Sequence, residues 1–279
     1  MTLNVTTSIP VGSVIVKQMF QLDFEEFLIA NGVGSDTIAT LKDKFEKKES
    51  LSPEQHSKMI DLFCRYLLVG GLPDVVNTYL ETHNIMKVRE VQDSIRAMYA
   101  ADVSKYEKNT QKKLYIRRIY EMIPSQMEKQ KKRIIAKEIQ GRKGDRYSRY
   151  EEEFEYLITS GITHATHAIS NPKYPLSELV TKNLLKLFYY DNRSMGEVDF
   201  LIDDHNTISI LPVEVKSGKD YTKHSALDNF MKVPDYHISS ALVLNDAREI
   251  RVVNNVTYAP VYNVMFLSSK ELNPKDLIF

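Results

Sequence analysis

The chain has 279 residues, 43% of them hydrophobic and 27% charged, and its formal net charge is zero. These values are typical of a soluble globular protein and leave enough chain for two compact domains. The single cysteine, Cys64, excludes an internal disulfide, and no stretch is long and apolar enough to predict a membrane span. The N-terminus lacks the basic and then apolar profile of a signal peptide, so we expect a cytoplasmic protein.

The first region, residues 1–106, is predicted to be mostly helical. Phe24 and Phe27 recur at helical spacing directly after Asp23, which predicts an N-cap at that aspartate. Ser52 is followed by a proline, and this pair predicts the start of another helix because proline is favoured in the first turn. Two further helices are expected before residue 106.

The second region, residues 107–180, begins with a basic segment. Residues 105–149 contain fifteen Lys and Arg against five Asp and Glu, although the whole chain is neutral. Hydrophobic spacing predicts three short helices and then a strand, at residues 112–123 (ending at Pro124), 134–139, 150–160 and 162–169. Three helices followed by a strand is the outline of a winged-helix module, which often lays one helix in a DNA groove.

Six basic residues flank the middle helix of this predicted module and are the candidates for nucleic-acid contacts: Lys131, Lys132, Arg133, Arg142, Lys143 and Arg146. Phosphate contacts from such a cluster would make DNA a partner of the protein. The same six basic residues have two other interpretations besides DNA binding. They could contact the acidic surface of a protein partner, including a separately encoded ATPase domain, or they could form a face that is simply solvated.

The last region, residues 181–279, is predicted to be a mixed α/β domain. One helix near residues 225–231 lies among strands predicted at residues 198–202, 210–215, 241–244, 249–253 and 261–266. The predicted fold class is therefore α+β. An N-terminal helical region leads into a winged-helix-like module and then into the α/β domain.

The most informative stretch is the pair of predicted strands around Asp199 and Glu214. Apolar and polar residues alternate in both strands, and the turn-forming residues 203–207 are expected to fold them back antiparallel. An acidic residue, Glu197 or Asp199, would then face Glu214, with Lys216 one step along the second strand. Two carboxylates and a lysine are the smallest set of side chains that could bind a divalent cation and position a phosphate. The alternative is an exposed hairpin face whose charges pair across the strands.

Several short motifs of this chain occur in the order that they have in a known protein family. They are Val11-Gly-Ser with Leu22-Asp-Phe-Glu-Glu-Phe-Leu28, Gly70-Gly-Leu-Pro73, Ile123-Pro-Ser125, Asn183-Leu-Leu-Lys-Leu-Phe188, Glu197-Val-Asp-Phe200 and Glu214-Val-Lys-Ser-Gly218. With this ordered set the chain resembles the C-terminal half of bacterial and archaeal AAA-type ATP-binding proteins. These proteins end in a domain of unknown function (DUF4143-type), and the resemblance implies a PD-(D/E)XK nuclease-like fold for it.

The resemblance also implies roles for individual residues. Asp199, Glu214 and Lys216 fall on the acidic, acidic and basic positions of the nuclease motif. Asp199 and Glu214 would hold Mg²⁺ together with the Val215 carbonyl, since Mg²⁺ prefers oxygen ligands. Lys216 would orient the attacking water or stabilise the transition state.

Two departures from the family are visible in the sequence. No Gly-x-x-x-x-Gly-Lys-Ser/Thr phosphate loop occurs, so no ATP site is predicted and the ATPase core is expected to be missing. Residues 183–191 run directly into Glu197, where the family has a further helix that carries a glutamate, and this indicates an internal deletion and a truncated nuclease-like domain.

The sequence therefore predicts a non-ATPase remnant of this family that binds DNA or a protein partner. An active Mg²⁺-dependent nuclease is one alternative, and a pure protein-interaction scaffold is another. The sequence predicts no oligomeric state.

Overall fold

The computed structural model describes residues 19–106, 109–128, 134–141, 144, 146–176, 187–204 and 207–267, without the side chains of residues 103–106. The chain forms two compact units. The first, here called the helical unit, consists of Met1–Phe20 and Asn84–Ala165. The second, here called the sheet unit, consists of Gln21–His83 and Thr166–Phe279. The predicted domain boundaries at residues 106 and 180 stay a prediction.

The sheet unit begins with four helices, α1 (Phe24–Ala30), α2 (Ser35–Glu46), α3 (Pro53–Val69) and α4 (Pro73–Thr82). Both predicted N-caps are confirmed. The Asp23 and Ser52 side chains accept hydrogen bonds from the backbone N–H groups of Glu26 and Gln55, whose own side chains bond back to the cap residues. Each pair is a capping box, which satisfies two backbone donors at the start of a helix.

Gly71 lies where the segment before α1 passes the turn between α3 and α4. The backbone N–H of Leu22 donates a hydrogen bond of 2.8 Å to the Gly71 carbonyl. A Cβ atom on Gly71 would clash with the carbonyl oxygen of Leu22, which is backbone and has little room to move. The close approach of these two chain segments therefore requires glycine at this position.

The helical unit contains α5 (Ile85–Tyr106), α6 (Thr110–Met127), α7 (Ala136–Gln140), a 3-10 turn (Tyr147–Arg149) and α8 (Glu151–Thr159). Seven of its buried residues form a hydrophobic core: Tyr115, Ile116, Ile119, Ile139, Tyr150, Phe154 and Leu157. The three helices predicted after residue 107 are therefore present and pack on one another.

Helix α6 does not end at Pro124 as predicted, because it continues for almost one more turn to Met127. A proline inside a helix removes one backbone hydrogen bond. Here the last turn buries Gln126, which is 2% exposed, and its Nε2 donates a hydrogen bond of 2.6 Å to the Glu138 carboxylate on α7. This tertiary contact accompanies the continuation of the helix past the proline.

A mixed sheet of seven strands in the order β1-β2-β3-β4-β5-β7-β6 forms the centre of the sheet unit. The strands are β1 (Thr166–Ile169), β2 (Leu187–Asn192), β3 (Gly196–Asp204), β4 (Ser209–Val215), β5 (Ala241–Asn245), β6 (Arg251–Val253) and β7 (Val256–Pro260). Strands β2, β3 and β4 are antiparallel neighbours, whereas β5 runs parallel to β4 and to β7. The α+β fold class predicted from the sequence is confirmed.

Three features of this sheet differ from the prediction. Residues 261–266 form a 3-10 turn instead of a strand, because the strand of this region is β7, just before them. Strand β2 was not predicted. Strand β1, predicted to follow the three helices of a winged-helix module, pairs in parallel with β2 and therefore belongs to the sheet. The described residues of the helical unit accordingly contain helices and turns without a β wing.

The two faces of the sheet have separate cores. On one face, α9 (Ser225–Met231) contributes Leu227 and Phe230 to a cluster that includes Val198, Leu201 and other strand residues. On the other face, a smaller cluster around Val213 and Leu242 packs against Phe45 of α2. In the described part of the chain, no helix has the length and apolar character needed to cross a membrane.

Substitution of Gly71 by alanine is expected to destabilise the sheet unit. The added methyl group must push the Leu22 backbone away, and overpacking of this kind costs about 3 kcal/mol. Thermal or urea unfolding followed by circular dichroism would measure the loss. Gly34→Ala is the control, since a Cβ there meets nothing within 4 Å. Equal stabilities of the two variants would contradict the close approach.

Candidate metal and phosphate site

The antiparallel hairpin predicted from the sequence is formed by β3 and β4. Their paired residues run from Phe200 opposite Val213 to Asp204 opposite Ser209. One further step in the same register brings Asp199 opposite Glu214. This register brings the two predicted acidic residues side by side at the open end of the hairpin.

The side chains of Asp199, Glu214 and Lys216 form a cluster at this end of the hairpin. The Asp199 carboxylate accepts a hydrogen bond of 2.8 Å from the backbone N–H of Val215. The Glu214 carboxylate is 3.4 Å from the backbone N–H of Asp199, which donates to it. The Lys216 ammonium forms an ion pair of 2.6 Å with the other oxygen of Glu214. Glu197, two residues before Asp199 on β3, is exposed to solvent.

Strand β3 contains a bulge at the position of Asp199. Tyr190 of β2 lies opposite Val198, whereas Phe188, two residues earlier, lies opposite Leu201, three residues later. Strand β3 therefore has one residue more than β2 in this interval. Bulges are common next to functional sites, because they change the direction of a side chain.

Glu214 is a buried carboxylate, with its side chain only 6% exposed. Burial raises the pKa of its carboxyl group, since desolvation disfavours the charged form. The hydrogen bond from Lys216 opposes this rise in the pKa, and the negative charge of Asp199 adds to it. The cluster therefore holds two coupled carboxylates that a cation would stabilise together.

This donor set fits a magnesium ion. Mg²⁺ is usually bound through one or two carboxylates and retains several waters. Asp199 and Glu214 supply two carboxylates, and the chain between Glu214 and Lys216 supplies the Val215 carbonyl. In the described ranges no group of three or more His, Cys, Asp or Glu side chains is arranged to hold a metal ion. A magnesium ion held by these groups would need water or phosphate oxygens as its other ligands.

Most of the predicted nucleic-acid contacts fall outside the described residues: Lys131, Lys132, Arg133, Arg142 and Lys143. Arg146 is described, and it is exposed directly before the 3-10 turn. Lys137 on α7 and Arg149 at the end of the turn are exposed as well. Helix α8 carries the opposite charge, because Glu151 and Glu152 are exposed in its first turn. These carboxylates would repel a phosphate backbone.

Phe200 is not among the site residues that the sequence predicts. Phe200 follows Asp199 in the bulge, and its side chain is 36% exposed. In a regular strand that alternates inward and outward residues, this phenylalanine would be assigned to a core. The alternation in the sequence carries no signal for the extra residue in β3.

Two family models match the chain. Residues 60–192 match a domain of unknown function, DUF8612, and residues 175–264 match a second one, DUF4143. The DUF4143 match confirms the C-terminal domain that the resemblance implied. Neither match covers half of the chain, but the DUF4143 match includes both strands of the hairpin with Asp199 and Glu214, and Lys216 directly after β4. No curated protein and no solved structure matches the chain.

Substitution of Glu214 by glutamine is expected to change how stability depends on pH. The pKa of Glu214 is higher in the folded protein than in the unfolded chain, so the unfolded chain loses its proton first as the pH rises. The wild type should therefore lose stability from about pH 4.3, the ordinary pKa of glutamate, through the raised folded pKa. The glutamine variant lacks this loss, and its advantage should be largest at neutral pH.

Urea unfolding at pH 4, 6 and 8 measures this difference. Glu249→Gln is the matched control, because it neutralises an exposed carboxylate of the same unit. The control should follow the pH profile of the wild type. A Glu214→Gln profile parallel to that of the wild type would show that the buried carboxylate is not a source of the pH dependence.

Proposed function

We propose that this protein binds DNA and that its DUF4143 domain carries a Mg²⁺-dependent phosphodiester site of the PD-(D/E)XK kind. The observation that carries the proposal is the convergence of Asp199, Glu214 and Lys216 at one end of the β3–β4 hairpin. Two carboxylates and an ammonium group are the side chains that metal-assisted phosphodiester hydrolysis needs. The order of the sequence motifs supports a relation to the C-terminal part of AAA-type ATP-binding proteins.

Each residue of the cluster has a role in this proposal. Asp199 and Glu214 would hold Mg²⁺, and the Val215 N–H keeps the Asp199 carboxylate oriented. When bound, Mg²⁺ supplies Lewis acidity that activates a coordinated water and neutralises charge on the phosphate. Lys216 has a side chain 33% exposed, so its ammonium group can exchange Glu214 for a phosphate oxygen or for the attacking water.

Burial of Glu214 supports its role as a ligand of Mg²⁺. A carboxylate with a raised pKa binds a proton more readily, and a divalent cation competes with that proton for the same oxygens. Metal affinity should therefore rise with pH. A hairpin face built only from solvated charges would not bury one of its carboxylates.

A second candidate function is that of a DNA- or partner-binding module without catalysis. The positive excess of residues 105–149 favours it, and Lys137, Arg146 and Arg149 are exposed. The acidic surface of α8 indicates that contacts with phosphates would involve α7 and the 3-10 turn instead. A pure protein-interaction scaffold would use the same surface for an acidic partner.

Mg²⁺ is expected to raise the melting temperature of the wild type but not of Asp199→Asn or Glu214→Gln. Binding to the folded state alone stabilises by about 2.7 kcal/mol at a hundredfold excess over Kd. Thermal denaturation across a MgCl₂ titration measures this effect without any substrate. Glu249→Gln should respond like the wild type. Equal shifts in all four proteins would place metal binding elsewhere.

Cleavage of a labelled DNA substrate should require Mg²⁺ or Mn²⁺ and should fall by about a hundredfold or more in Asp199→Asn, Glu214→Gln and Lys216→Met. Gel electrophoresis of the products measures the rate. Activity that persists in both carboxylate variants would identify a contaminant. A metal-dependent thermal shift without cleavage would favour the binding module over the nuclease.

DNA affinity should depend steeply on salt if the basic segment contacts phosphates. Combined substitution of Lys137, Arg146 and Arg149 by alanine should weaken binding and reduce the slope of log K against log[salt] by about three. Fluorescence anisotropy between 50 and 200 mM NaCl, chosen because phosphate contacts respond strongly there, measures both. Lys58→Ala, an exposed lysine of the sheet unit, is the control. An unchanged slope would favour an acidic protein partner.

A further inference from the structure

We propose that Arg251 binds a second phosphate of the nucleic-acid strand whose scissile phosphate enters the Asp199–Glu214 site. This inference rests on the proposed function and adds to it a second anchor for the substrate and the direction in which the strand crosses the sheet. It is carried by the register that places Arg251 on the same face as Glu214, by two tyrosine rings that hold the guanidinium group, and by the charge of Arg251, which no acidic side chain neutralises.

A row of paired residues joins Glu214 to Arg251 across the sheet. Glu214 pairs with Val243, Val243 pairs with Tyr258, and Tyr258 pairs with Arg251. Directly paired residues point to the same face of a sheet, so all four side chains lie on one face of β4, β5, β7 and β6. Three steps between neighbouring strands separate the backbones of Glu214 and Arg251 by roughly 14 Å.

Two tyrosine rings hold the guanidinium group of Arg251 in place. Its Cζ atom lies 5.1 Å from the centroid of the Tyr258 ring and 5.5 Å from that of Tyr221. The Tyr258 hydroxyl is 2.6 Å from Nε2 of the buried His224, whose Nδ1 lies 3.0 Å from the Asp228 carboxylate. A stacked arginine uses the face of its guanidinium group, so the N–H groups at the edge stay available for a bidentate bond to phosphate.

No carboxylate among the described residues forms an ion pair with Arg251, which is exposed on the edge strand β6. Asp220, in the same loop as Tyr221, pairs with Lys223 at 2.7 Å instead. Arg248 has a different role, because it donates a hydrogen bond of 3.0 Å to the carbonyl oxygen of Leu51. Arg251 is thus a positioned cation that lacks an anion, and bidentate binding of phosphate is the chemistry that suits it.

The loop of residues 216–223 links the two ends of this row. It begins with Lys216 of the carboxylate cluster, and further along Tyr221 stacks against Arg251. Between them Lys219 is exposed, so the loop adds positive charge between the two sites. Phosphates of one DNA strand follow each other at about 3.4 Å along the helix axis, so the row spans about four of them. This span matches a nucleic-acid strand and exceeds a single nucleotide.

Arg251→Gln should weaken binding of a single strand of about 12 nucleotides about tenfold and should reduce the slope of log K against log[salt] by about 0.7, the value for one phosphate. Fluorescence anisotropy in CaCl₂, which slows cleavage, measures both quantities. Arg251→Lys should keep the salt slope but bind less tightly than the wild type, because lysine provides neither stacking nor a bidentate fork. Lys58→Gln, at an exposed lysine of α3, should behave like the wild type.

A strand of about 3 nucleotides is too short to reach from the carboxylates to Arg251, so Arg251→Gln should bind it as tightly as the wild type does. Glu214→Gln should weaken the binding of both strands. An equal loss for the short and the long strand would place Arg251 at the metal site itself and overturn the inference.

Melting curves separate binding by Arg251 from a purely structural role. If Arg251 only clamps the loop to the sheet, Arg251→Gln should lower the melting temperature and leave the salt slope unchanged, and this result would also overturn the inference. A normal Mg²⁺ thermal shift in the wild type, together with unchanged DNA binding by Arg251→Gln, would reject the second anchor alone. Absence of the Mg²⁺ shift from the wild type would instead reject the proposed function.

Discussion

The way in which the β3–β4 ladder ends is the constraint on which the candidate site depends. Backbone pairing of the two strands reaches Phe200 and Val213. The next two backbone donors, the N–H groups of Asp199 and Val215, bond to the carboxylates of Glu214 and Asp199. The two carboxylates thus continue the hydrogen bonding of the hairpin beyond its last paired residues, and these bonds orient both side chains.

This arrangement has an electrostatic cost that the cluster only partly offsets. Glu214 is buried beside the charge of Asp199, and both effects disfavour its ionised form, whereas Lys216 favours it. Removing one partner from such a cluster leaves an uncompensated charge, but an added cation relieves the repulsion between the carboxylates. This electrostatic balance supports the proposed binding of a divalent cation at the hairpin end.

The helical unit adds a surface whose charge is unevenly distributed. The exposed Lys137 lies on α7, and the exposed Arg146 and Arg149 lie at the 3-10 turn. Helix α8 begins instead with three glutamates, which the N-terminus of a helix favours. The buried Gln126–Glu138 hydrogen bond and the shared core around Ile119 and Ile139 join α6 to α7. This packing fixes the part of the unit that carries the exposed Lys137.

Local patterns in the sequence determined much of this protein. The capping residues Asp23 and Ser52, the antiparallel β3–β4 hairpin and the α+β class all follow from hydrogen bonding or periodicity within a few residues. Tertiary structure alone decided the parallel pairing of β1 with β2, the continuation of α6 past Pro124 and the bulge in β3 between Val198 and Leu201. These features depend on partners that are distant in the chain or on one extra residue against a neighbouring strand. The periodicity of a single segment contains no information about either.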